Sequence, residues 1–164
     1  CVPGRAAAIP GAPADAPRVM LSGCPMAVPN WKLPYIIESS GAVIVGEESC
    51  IGTRNTRDLT DESCRTLEQM IDALCDRYMK IDCACFTPNA ERLDNVESMA
   101  RDLKVDGVIQ YALMFCQPYA HEGIKVEKRL TAGNIPSMSL ETDYSMEDVE
   151  QLKTRVEAFL ETLK

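Results

Sequence analysis

The chain has 164 residues, 46% of them hydrophobic and 26% charged, which suits one folded domain and excludes disorder over most of its length. Its formal net charge of -8 disfavours a nucleic-acid partner, because an acidic surface repels phosphates. No apolar run approaches the roughly 18 residues of a membrane span, and no signal peptide is visible.

Residues 1–17, CVPGRAAAIPGAPADAP, are rich in Ala, Pro and Gly and read as a linker or trimmed loop. The expectation is a domain over 18–164, cut from a longer protein. RVML (18–21) opens a first strand and SGCP (22–25) turns away from it. WKLPYIIESSG (31–41) reads as a short helix ending at Gly41, with Pro34 in its first turn. AVIV (42–45) is a β-branched run typical of a strand buried on both faces, and GEESCIGTR (46–54) reads as loop.

Thr60 or Asp61 is the expected cap of the next helix, in which Leu67, Met70, Ile71, Leu74 and Tyr78 recur at helical spacing. Cys64 and Cys75 lie eleven apart on one face of it and read as core thiols. A polar stretch, CACFTPNAER (83–92), precedes a helix carrying Leu93, Val96, Ala100 and Leu103. VIQYALMF (108–115) is the third strand, ending just before Cys116. A helix through 122–130 stops at Gly133, and IPSMSL (135–140) is the fourth strand. Ser145 caps the last helix, whose apolar stripe is Leu152, Val156, Phe159, Leu160 and Leu163.

Alternating strands and helices predict an α/β fold: a three-layer open parallel sheet of flavodoxin/Rossmann-like topology, about four strands, in the order 2-1-3-4. Such sheets bind ligands beyond the carboxyl ends of their strands. Cys24 follows strand one, Cys50 strand two and Cys116 strand three, with Glu141, Thr142 and Asp143 after strand four. Eight cysteines are too many to ignore, yet the chain is larger and less loop-rich than a secreted disulfide scaffold. The expected location is cytoplasmic.

Three thiolates on one rim suit a soft metal or an iron–sulfur cluster. Zinc held by three cysteines and one other ligand, or metal-free thiols, are the alternatives that the residues alone leave open. There is no CxxC pair. Cys83 and Cys85 form a CxC, and Cys85 is a reserve ligand if its loop turns to the rim. Arg54 and Arg57 suit either an anionic thioester carrier or a solvated loop. His121 suits a substrate donor, a group that stabilises a cluster, a helix cap or a solvated side chain. Neither a GxGxxG nor a P-loop is present.

The segments SGCPMAVPNWK (22–32), VIVGEESCIGTR (43–54), CACFTPN (83–89), VDGVIQYALMFCQPYAHE (105–122) and IPSMSLETDYSMEDVEQLKTRVEAF (135–159) together resemble the 2-hydroxyacyl-CoA dehydratase and benzoyl-CoA reductase superfamily. The double-cubane-cluster anaerobic reductases are the nearest branch in pattern. The resemblance implies a C-terminal cluster domain of an oxygen-sensitive, low-potential iron–sulfur reductase. It implies Cys24, Cys50 and Cys116 as ligands of a [4Fe-4S] cluster, or of half a double-cubane [8Fe-9S] cluster. The alternatives are a fragment of an (R)-2-hydroxyacyl-CoA dehydratase subunit, removing water through a ketyl radical, and a non-catalytic structural or docking module. The implied partners are an N-terminal cluster domain, an ATP-dependent iron–sulfur activator, and a second copy or related subunit. No nucleic acid or membrane is implied, and the fragment alone is expected to be inactive.

Overall fold

The computed structural model describes residues 13–163. The linker expectation for residues 1–12 lies outside that range. Four parallel strands, β1 (Arg18–Gly23), β2 (Val43–Glu48), β3 (Gly107–Leu113) and β4 (Ser137–Thr142), form one sheet in the order β2-β1-β3-β4. That is the order expected from the alternation of elements. The helices are α1 (Lys32–Ser39), α2 (Thr53–Thr56), α3 (Leu67–Met79), α4 (Ala90–Asp102), α5 (Gln117–Ala132) and α6 (Val149–Glu161).

The period-two alternation of the central strands feeds two cores. Val19, Leu21, Ile109 and Tyr111 pack with Leu33, Ile36 and Ile37 of α1 and Leu152, Val156 and Leu160 of α6. Met20 and Val108 face the other way, onto Val96 and Ala100 of α4 and Val126 and Leu130 of α5. Each of the Val, Leu, Ile and Met side chains among them contributes about 1.5–3 kcal/mol by leaving water.

Several local expectations are corrected. β2 is an edge strand of intermediate burial, not one buried on both faces, because it has a neighbour only on the β1 side. It also continues through Gly46 to Glu48, so the first third of the expected loop is strand. The cap of α3 is Thr66, in a capping box with Gln69, rather than Thr60 or Asp61. Cys64 therefore precedes the helix, and Cys75 is exposed, so neither is a core thiol. α3 buries none of its side chains: Leu67, Met70, Ile71, Leu74 and Tyr78 form an apolar stripe open to solvent. The N-cap of α6 is Asp148, not Ser145, and the Asp148 carboxylate is engaged elsewhere.

That engagement is with Lys32, a buried ammonium at the start of α1. Its Nζ donates to Thr142 Oγ1 (2.6 Å), Asp143 O (2.8 Å), Ser145 O (2.7 Å) and Asp148 Oδ1 (2.8 Å). One cation thus ties α1 to the β4–α6 connection. Replacing Lys32 with Met removes the charge and leaves those acceptors without their donor. The expected cost is about 3 kcal/mol, read as a lower urea midpoint. An unchanged midpoint would show that water serves the four acceptors equally well.

Candidate functional site

The sulfur positions follow from how the strands end. β1 closes on Gly23, whose φ of +134° is open to glycine; a Cβ there would stand 2.0 Å from Tyr111 O. The turn allows Cys24 N to donate to the same Tyr111 O at 2.9 Å. Cys24 is buried, and Leu113 N donates to its Sγ at 3.4 Å. Cys116 stands three residues beyond β3 as the N-cap of α5, at the positive end of that helix dipole. The residue before it, Phe115, has φ +71° and an 83% exposed side chain. A bulky residue in that region is strained, and such strain gathers at functional sites.

Burial pushes the Cys24 thiol up to about 12; the Leu113 N–H opposes this, and the neighbouring Cys116 side chain and the charge of Cys50 add to it. Burial likewise lifts Tyr111 to about 12. Both groups have a folded pKa above the ordinary value, so they favour folding at neutral pH. The metal-free chain should therefore lose stability as pH rises from about 9 towards 12. A urea midpoint that stays flat across that window would contradict the burial of these two groups. The same proton must leave before Cys24 can ligate a metal.

Cys50 lies two residues beyond β2, since that strand ends at Glu48. Arg54, on α2, donates from Nη1 to Cys50 Sγ at 3.2 Å and to Tyr119 Oη at 2.7 Å. Tyr119 Oη is itself 3.6 Å from Cys50 Sγ. The Arg54 Nε donates to Glu48 Oε1 at 2.7 Å, and its Nη2 reaches the same oxygen. Glu48 Oε2 accepts from Ser22 Oγ (2.7 Å) and from Arg92 Nη2 (3.1 Å), and Arg92 Nη1 donates to Glu122 Oε2 at 2.5 Å. Burial works against the charged form of Arg54, but Glu48 and Tyr119 outweigh it and hold the guanidinium protonated. Neither the thioester-carrier contact nor the solvated loop describes Arg54: it is buried and paired. Arg57 is half-buried and pairs with Asp58 and Asp82.

The CxC segment is a tight turn, not an extended strand: Cys83 N donates to Ile81 O and Phe86 N to Cys83 O, both at 3.0 Å. The turn leaves the two thiols hydrogen-bonded to each other. Cys85 is exposed, with its thiol raised chiefly by hydrogen bonding to Cys83 and by that residue's charge. Cys83 is partly buried. Burial opposes its ionisation, yet hydrogen bonds from Cys85 and Tyr119 and the charge of Arg54 lower its pKa. It is Cys83, then, that turns towards the Arg54–Tyr119 pair. His121 is exposed on α5 and does not cap it.

Glu48, Arg92, Tyr119 and Glu122 escaped sequence reasoning. Glu48 sat in a segment read as loop, and Arg92 in one read as merely polar. The available signal for Tyr119 was its place three residues after a rim cysteine. Among the described residues, no three His, Cys, Asp or Glu side chains converge tightly enough for a single metal ion. The donor set nonetheless fits a larger, soft, multi-iron group. Cys24, Cys50 and Cys116 stand at the ends of three adjacent strands, and two of the sulfurs already receive N–H donors. No helix among the described residues is long and apolar enough to cross a membrane.

Comparison with known proteins gives a consistent result. Residues 4–163 match the profile of the family described as 2-hydroxyglutaryl-CoA dehydratase, D-component. The chain is 38% identical over 148 residues to YjiM of Escherichia coli (strain K12), provisionally named a dehydratase subunit; the match covers 90% of this chain and 38% of that protein. It is 29% identical over 157 residues to the (R)-phenyllactyl-CoA dehydratase beta subunit of Clostridium sporogenes, covering 95% and 40%. It is 24% identical over 164 residues to the beta subunit of (R)-2-hydroxyglutaryl-CoA dehydratase from Acidaminococcus fermentans, covering 96% and 41%. The chain thus spans about two fifths of the length of these relatives.

Proposed function

Because the chain belongs to the 2-hydroxyglutaryl-CoA dehydratase D-component family, we propose that residues 18–164 are the iron–sulfur cluster domain of a 2-hydroxyacyl-CoA dehydratase-type subunit. The observation that carries the reading is the set of three thiols on one sheet rim, with donors already aimed at two of them. Cys24, Cys50 and Cys116 would hold a [4Fe-4S] cluster. A cluster bound there would supply single-electron transfer at low potential to an acyl-CoA thioester. The relatives' names favour a dehydratase over the double-cubane reductase branch that the GCP pattern suggested.

The chain's own residues have definite tasks. Cys24 gives up its proton from a buried position, so its charge is stable only when neutralised by what it binds. Leu113 N–H and the α5 N-terminus favour negative charge at Cys24 and Cys116. Arg54 and Tyr119 do so at Cys50. Tyr119 remains protonated, because its burial outweighs the opposing pull of Arg54.

The remaining part of such a subunit would cover the apolar stripe of α3. A 13-residue helix with no buried side chain has little stability of its own in water. Cys75 borders that stripe. In the full-length subunit it should react with iodoacetamide at least tenfold more slowly than in urea; equal rates would show the stripe uncovered. The functional reading is tested by anoxic assay of the full-length subunit with a related subunit and an ATP-dependent iron–sulfur activator on 2-hydroxyacyl-CoA thioesters. Release of water dependent on both proteins supports it, and absence of turnover across aliphatic, aromatic and dicarboxylic acyl groups counts against it. A cytoplasmic location accords with such oxygen-sensitive chemistry.

A further inference from the structure

We propose that Arg54 and Tyr119 are a dedicated donor pair that positions the Cys50 sulfur and raises the reduction potential of the cluster it helps to hold. This rests on the cluster reading above. The argument begins with direction. Arg54 Nη1 donates to Tyr119 Oη at 2.7 Å, so the tyrosine oxygen is used as an acceptor. Its one proton is then left for a thiol: Cys50 Sγ stands 3.6 Å away, and Cys83 shares the same hydroxyl. The same Nη1 donates to Cys50 Sγ at 3.2 Å. One sulfur thus faces both an N–H and an O–H.

Neither donor is free to turn away. Glu48 Oε1 holds Arg54 by both Nε and Nη2. Two guanidiniums lie against the Tyr119 ring, with Arg54 Cζ 5.9 Å and Arg92 Cζ 5.2 Å from its centroid. Arg92 is itself fixed by Glu48 and Glu122. Arg54, Arg57 and Arg92 are matched by Glu48, Asp82 and Glu122, so this set carries no surplus positive charge. What Cys50 receives is directed hydrogen bonding. Reduction adds negative charge to the cluster, part of which is carried by its sulfurs. Donors to a sulfur therefore favour the reduced form and raise the potential.

The test is a redox titration of the full-length subunit after anaerobic reconstitution, with iron content and EPR spectra recorded for each variant. Tyr119→Phe deletes one donor and almost no volume. Arg54→Lys keeps the charge but cannot serve Glu48, Tyr119 and Cys50 in one plane. Both are expected to keep their iron and to titrate at more negative potential than wild type, with altered EPR g-values. Lys125→Ala, on the exposed face of α5, should titrate as wild type. Full iron with unchanged or raised potentials in both variants would overturn the donor role while leaving the cluster reading intact. A wild-type protein that takes up no iron would overturn both. Should Arg54→Lys lose iron, the potential of Tyr119→Phe decides alone.

Discussion

Cys24→Ser in the full-length subunit is expected to retain less than about a tenth of the wild-type iron after anaerobic reconstitution. Serine offers a hard oxygen where a soft thiolate is wanted. No other sulfur can replace Cys24 without rebuilding the strand end. Its backbone is set by Gly23 and by the hydrogen bond from Cys24 N to Tyr111 O, and its side chain is buried beneath the rim. Cys116→Ser should behave similarly. Cys75→Ser, on α3, should keep its iron. Cys50→Ser is the more instructive variant, because Cys83 stands next to the same Arg54 and Tyr119. Loss of iron in Cys50→Ser assigns Cys50 as the third ligand. Retention there, with loss in Cys83→Ser, would transfer that role to Cys83. Loss in Cys85→Ser would give the role to the reserve ligand Cys85, whose thiol feels the charges of Cys50 and Cys116.

Glu48→Ala should be the most damaging change that touches no cysteine. Glu48 is buried at the end of β2 and receives Arg54, Arg92 and Ser22. Truncation leaves two buried guanidiniums short of a partner. Breaking a buried pair in this way costs about 3–5 kcal/mol, a large share of a domain's stability. The loss would appear as a much lower urea midpoint. By contrast, Arg129→Ala removes exposed pairs with Asp94 and Glu97 and should cost less than about 1 kcal/mol. Comparable losses in the two variants would mean that the Glu48 network is far better solvated than its burial indicates.

The legible parts of this protein were those with periodicity. The alternation along β1 and β3 and the stripes of α4 and α6 led to the sheet order, and strand ends led to Cys24 and Cys116. Cys50 was less well placed, because Gly46 and two glutamates concealed the last half of β2. Its true position, two residues past Glu48, is as well anchored as the others. The polar network was not legible. Arg54, Arg92 and Glu48 are residue types that usually face water, and only tertiary structure shows them buried against one another. α3 misled in the opposite sense. Its apolar stripe implied a place in the core, whereas within this domain it meets solvent.

The central claim is that Cys24, Cys50 and Cys116 together hold one iron–sulfur cluster. The most direct measurement is the iron and acid-labile sulfide content of the full-length subunit after anaerobic reconstitution, compared between wild type and the triple variant Cys24→Ser/Cys50→Ser/Cys116→Ser. The account predicts that the triple variant binds about four iron and four sulfide fewer than wild type, the content of one cube. Equal iron and sulfide in the two proteins would contradict it.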